Sequence, residues 1–266
     1  MNQRGFTLTE MLVSITIAAV VLAGLATTVS SQSRSAIFQM GTADVSQNVR
    51  GALALFKREL RMAGYGMGAV PTATLEPVKV EAVGAGEVYR VRLRGSYANA
   101  QTFGSAAAGT GSITIDAAAV VPTFTAGRYV SIESPILGTA EVGTIASFNA
   151  GTRTITFSPN LVNTYALGSP VHQIEDVLYV LDTQGRLKRN ADIVADQITA
   201  ANALTLQYIL TDGTSVADPS ANLDLLRSAT IRMQASGTTS SGLTPQADLS
   251  AEVRIRNLAI ATAPAL

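Results

Sequence analysis

His172 is the one histidine of the chain, and it lies close to Glu175 and Asp176. A histidine beside carboxylates can serve acid–base chemistry, but such a pair needs a nucleophile held in a recognisable elbow, and the sequence offers none. The expectation for His172 is a solvent-facing strand residue following the turn Gly168-Ser169-Pro170. Asp212, Asp218 and Asp224 fall in the polar loop TDGTSVADPSANLD. Carboxylates of this kind suit calcium, yet a six-residue spacing is not that of an EF-hand, and turn-forming aspartates are the favoured reading. No cysteine is present, which excludes thiolate nucleophiles, disulfides and Cys-ligated zinc. A Walker loop, a GxGxxG at a strand–helix junction and an HExxH are also missing. Neither an enzyme nor a cofactor is expected. What remains is Glu10, an acid at the head of a run, Met11 to Ser33, that carries no charge before Arg34. A charge at the centre of a spanning helix costs about 2.5 to 3.5 kcal/mol, less towards the interface, so this carboxylate calls for a use.

The elements that position these residues follow from composition and period. The chain has 266 residues, 47% of them apolar, with nineteen bases balancing nineteen acids. That suffices for a packed core and gives no global pull towards nucleic acid. Residues 11–29 read as a membrane-spanning helix, in which Ser14, Thr16, Thr27 and Thr28 are the polar members. A secretory signal would place a cleavage site after its apolar run. Here the polar leader MNQRG stops at Gly5, in front of the run. Beyond the run, Phe38, Val45, Val49, Ala52, Phe56, Leu60 and Ala63 recur at helical spacing, so the helix is predicted to continue. Lys57, Arg58 and Arg61 complement the dipole at its end, and Gly64 and Gly66 supply a stop. One helix from Phe6 to Ala63 would be about 87 Å long. Gly24 and Gly41 are the places where it could bend or melt.

The stretch Arg4-Gly5-Phe6-Thr7-Leu8-Thr9-Glu10 before an apolar helix resembles the class III signal of type IV pilins and type II secretion pseudopilins. The resemblance implies that a prepilin peptidase cuts between Gly5 and Phe6 and methylates the amine of Phe6, and that Glu10 serves assembly. It also implies a single-pass protein of the bacterial inner membrane with its head in the periplasm, later part of a pilus at the cell surface. Its partners would be other minor pilins and the major pilin, met through the N-terminal helix. An ordinary signal anchor, with Glu10 among the headgroups, is the alternative. The helix ending RELRMAGYG further resembles PilW-type minor pilins, as do Val177 to Asp182, Gly185-Arg186-Leu187, Leu204 to Leu210 and Ser228 to Met233. J-type pseudopilins share much of that layout. The missing cysteines, and Thr27 where major pilins commonly carry a kinking proline, argue against a major pilin.

From residue 75 the period changes to alternation. Val78 to Val83, Val88 to Leu93, Tyr129 to Glu133 and Arg153 to Phe157 read as half-buried strands separated by glycine-rich breaks. The predicted fold class is α+β: leader 1–5, transmembrane segment 6–33, amphipathic continuation 34–66 and a β-rich head 67–266. Within the head, 100–172 is expected to be an inserted β module, and Ser236 to Ser241 a mobile hairpin loop. The function expected from the resemblance is priming or capping of a pilus; the alternatives are a J-type pseudopilin and an adhesin that binds through the module.

Overall fold

The computed structural model describes residues 7–67, 75–116, 124–134, 138–198, 204–239 and 242–255, without the side chains of 97–99. Helix α1 runs from Leu8 to Met62, 55 residues, against the predicted Phe6 to Ala63; Phe6 lies outside the described residues. Ala63 leaves helical geometry, and Gly64 and Gly66 follow at φ 80° and 69°. A left-handed backbone is open to glycine without penalty, so the helix stops where the two glycines stand.

α1 passes unbroken through both Gly24 and Gly41. At Gly24 the hydroxyls of Thr27 and Thr28 both donate to the glycine carbonyl, at 2.8 and 2.9 Å. At Gly41 the missing side chain serves contact instead: a Cβ there would stand 3.0 Å from Thr239 and 3.1 Å from Pro245. The helix first meets the head at this point. The buried stripe then comprises Val45, Val49, Ala52, Leu53, Phe56, Glu59 and Leu60. Phe38, predicted to belong to it, is 41% exposed, whereas its neighbour Ile37 is half-buried.

Two antiparallel sheets receive that stripe. Strands β1 (Val78–Val80), β2 (Glu87–Gln101), β3 (Ser112–Thr114), β4 (Tyr129–Ser134), β5 (Thr139–Asn149), β6 (Thr154–Ser158) and β7 (Pro170–Asp182) form the larger, in the order β1-β2-β7-β4-β5-β6-β3. Strands β8 (Leu187–Arg189) and β9 (Asp192–Ala195) extend it from β7. The smaller sheet has the order β11-β10-β12-β13, built from β10 (Leu204–Leu210), β11 (Ser215–Val216), β12 (Leu226–Ser236) and β13 (Gln246–Arg254). The fold is therefore α+β, a long apolar N-terminal helix followed by a β-rich region.

β2 and β7 pair along their full length, from Glu87 opposite Asp182 to Gln101 opposite Pro170. Near the inner end, Val91, Leu93, Tyr179 and Leu181 join the helix stripe and the smaller sheet in one core. Beyond the outer end lies a second core, centred on Ile115, Val130, Ile145, Ile155 and Tyr165, whose members all come from residues 100–171. β4 joins the two regions by pairing Tyr129 to Ile132 with the outer part of β7. β1 is shorter than predicted and ends at Val80; Val83, 52% exposed, packs on nothing that would prolong the strand. Thr239 and Leu243 close the β12–β13 connection with an amide bond of 2.9 Å, and the loop rests on α1 at Gly41, so its described part is a docked turn.

Candidate functional site at the start of the long helix

Thr7 caps α1 from an extended conformation, φ −83° and ψ 149°, and its hydroxyl accepts from the Glu10 amide at 3.3 Å. Thr7-Leu8-Thr9-Glu10 has the spacing of a capping box, a local signal that the sequence reading above missed. Glu10 thus sits in the first turn, where the helix dipole favours a negative charge. Among the described residues its carboxylate has no hydrogen-bond or ion-pair partner. Gly5 and Phe6 lie outside the described residues.

After Glu10 the helix is apolar on every side. Met11, Leu12, Val13, Ile15, Ile17, Val20, Val21, Leu22, Leu25 and Val29 are all more than half exposed, and no face of this segment packs on the head. A helix apolar all round requires an apolar surround, and the most apolar window here reaches a mean hydropathy of 2.3 with none of it buried. Its hydroxyls are already satisfied. Ser14 donates to the Glu10 carbonyl at 2.8 Å, Thr16 to that of Leu12, and Thr27 and Thr28 to that of Gly24. No polar group of these side chains therefore needs water, which removes most of the cost of carrying them into hydrocarbon.

At the other end, Glu59 fixes the helix to the head. It is 2% exposed, accepts from the Tyr179 hydroxyl at 2.5 Å and pairs with Arg189 Nε at 2.7 Å. One carboxylate thereby ties α1 to β7 and β8. Removing it takes an acceptor from the buried Tyr179 hydroxyl and a counter-charge from the half-buried Arg189, so Glu59→Ala is expected to cost about 1 to 3 kcal/mol of head stability. Glu59→Gln, which keeps an acceptor for Tyr179, should cost less; denaturant midpoints of the two variants check the order.

The two clusters singled out in the sequence have structural roles. His172 is not solvent-facing: its side chain is 12% exposed, it stacks edge-on with Tyr65 at 6.0 Å, and it lies against Gly66. Burial lowers its pKa, and it approaches Glu133 across strands at 4.0 Å rather than Glu175 or Asp176. The sequence reading failed here because the covering residues come from the distant end of α1. Asp212 and Asp218 each accept from the amide and hydroxyl of the residue two ahead, Thr214 and Ser220, and so shape turns as expected. Asp224 falls in the short 3-10 segment Ser220–Leu225, which is kinked at Asn222. Among the described residues no three His, Cys, Asp or Glu side chains gather as for a metal.

Residues 1–26 match the family model described as the prokaryotic N-terminal methylation motif. The chain carries a prepilin-type signal. This motif, on an apolar helix long enough to cross a bilayer, fits a membrane-anchored pilin and supports a type IV pilin or pseudopilin. The prepilin signal implies processing by a prepilin peptidase and assembly with other pilins. No curated protein matches the chain.

Proposed function

We propose that the protein is a minor pilin of the PilW type, a structural subunit that primes or caps a type IV filament after its leader is removed between Gly5 and Phe6. The observation that carries this reading is the methylation motif placed on a helix whose first turns are apolar all round and touch nothing in their own head. Such a surface suits bilayer first and the helices of neighbouring subunits afterwards. RELRMAGYG, quoted above for its resemblance, supports the same class: Glu59 anchors the helix and Gly64 and Gly66 end it.

Glu10 takes its use from the cut. Cleavage after Gly5 makes a cation of the Phe6 amine, four residues and about 6 Å of helical rise from the carboxylate. A neighbouring subunit shifted by one turn would bring its own amine beside this Glu10, and the low dielectric strengthens that attraction and rejects other registers. Glu10→Ala is expected to insert and to be cut normally, yet to fail to co-purify with its filament partners. Glu10→Asp, with a shorter reach, should be partly impaired. Normal assembly of Glu10→Ala would show that helix packing alone sets the register. Recovery of the protein with secretion components instead of pilus components would favour the J-type pseudopilin.

A further inference from the structure

The described sheets end on five edges, and four of them are short: β1 and β3 have three residues each, β9 has four and β11 has two. The fifth, β13, has nine residues, and among the described residues only β12 pairs with it. A strand edge of that length offers a row of unmatched amides and carbonyls, which proteins ordinarily shorten, twist away or cover. Beside it runs α1. A groove of about 390 Å³ lies between the two, lined from the helix by four cations, Arg50, Lys57, Arg58 and Arg61, and by Leu53 and Ala54, and from the sheet by Leu249 and Ser250.

The charge of this groove is one-sided. Among the described residues Arg50, Lys57 and Arg58 have no carboxylate partner. The acids of β13 itself are engaged with β12: Asp248 pairs with Arg232, and Glu252 accepts from Ser228 at 2.9 Å. They share the strand face of Ser250, opposite Leu249, and among the described residues neither forms an ion pair with Arg50, Lys57 or Arg58. From Arg50 to Arg61 is about 16 Å of helix, which matches about five residues of extended chain. Alternate side chains of a strand stand about 6.8 Å apart, close to the roughly 6 Å rise between helix residues four apart.

We propose that β13 is a docking edge, on which an extended acidic segment of a partner protein adds as a further strand with its carboxylates towards Arg50, Lys57 and Arg58. Main-chain bonds supply the affinity, and the cationic helix face selects an acidic sequence. The groove has an apolar wall at Leu249 and no aromatic side chain on which bases stack, which favours a peptide over a nucleic acid. The last eleven residues of the chain, RNLAIATAPAL, hold a cation and no acid, so they do not complement the groove. This inference is independent of the filament reading.

The test uses the full chain in detergent micelles and four labelled probes: an alternating Thr/Glu nonapeptide, the same peptide with alternate backbone nitrogens methylated, a Thr/Lys version and a single-stranded oligonucleotide. The Thr/Glu peptide should bind, more weakly as salt rises, and should slow amide hydrogen exchange across residues 246–254. Backbone methylation, the Thr/Lys exchange and the double substitution Lys57→Glu with Arg58→Glu should each weaken binding at least ten-fold. No binding of the Thr/Glu peptide, equal binding of the methylated peptide, or an oligonucleotide that binds more tightly at the same cations would overturn the proposal. Slow exchange of these amides before any peptide is added would also overturn it, because the edge would then be occupied by the chain itself or by a second copy.

Discussion

Gly95→Ala is expected to unseat the long helix from the head. Gly95 lies inside β2, opposite Glu175, and a Cβ built there falls on the carbonyl oxygen of Met62, the last residue of α1. Nothing flexible stands in between, so the added methyl cannot be accommodated by turning a side chain. The same junction carries backbone bonds from Gly64 N to the Arg94 carbonyl, 2.9 Å, and from Ser96 N to the Tyr65 carbonyl, 2.7 Å. Moving the helix end away sacrifices both. Overpacking by one methyl typically costs about 1 to 3 kcal/mol, and with backbone on both sides the upper end is expected. Gly51→Ala is the control: it lies within α1 with nothing within 4 Å of the added Cβ, and it should stabilise by about 0.5 to 1 kcal/mol. Thermal unfolding of the two variants should therefore shift in opposite directions. A stable Gly95→Ala protein would mean that the helix end is not seated on β2 as described.

Gly5→Leu is expected to leave the leader attached to essentially every molecule. A residue without a side chain lets the chain be drawn extended into a protease cleft at the membrane face, whereas leucine favours continued helix and adds bulk where the cut is made. Intact-mass or N-terminal peptide analysis reads the outcome directly. The unaltered protein should begin at Phe6 with a methylated amine, and the variant should retain the five residues MNQRG. A mature start beyond Ser30 would instead mark ordinary signal cleavage and remove the pilin reading. Because Glu10→Ala is cut normally on the present proposal, the two variants separate processing from assembly.

Local patterns carried the parts of the fold that could be read from the sequence. The charge-free run and the stripe from Val45 to Ala63 are properties of consecutive residues, and α1 follows them to within a residue at Met62. β2, β4 and β6 alternate apolar residues with polar ones and were legible for the same reason, whereas the segments of β7, β10 and β12 were named only through the resemblance. β5 and β13 were not, since their buried positions include small residues such as Gly143, Ala140 and Ala247 that give little hydrophobic contrast. Gly95 was a missed clue: a glycine inside a strand pattern often marks a close backbone approach. The burial of His172 and Glu59 was beyond any local pattern. Each is covered by partners from other elements, Tyr65 and Gly66 for the first, Tyr179 and Arg189 for the second.

The bare stretch of α1 ahead of Gly41 determines what the head can sense. Leu8 to Val29 uses about 33 Å of rise, close to the thickness of a bilayer core, and Ser30 to Gly41 adds about 17 Å of helix that is exposed except at Ile37 and Gly41. Arg34 is the single charge on that stalk. At physiological ionic strength the screening length is about 8 Å, and the headgroups reach about 5 to 8 Å beyond the core, so the head starts about one such length clear of the lipid surface. Its charges feel the headgroups below only weakly. A mechanical signal also reaches it: over an arm of about 50 Å from Leu8 to Gly41, a tilt of about 10° at the anchored end displaces the head sideways by about 9 Å. The lever arm thus ties the position of the head to the orientation of the helix start, without any contact between the two.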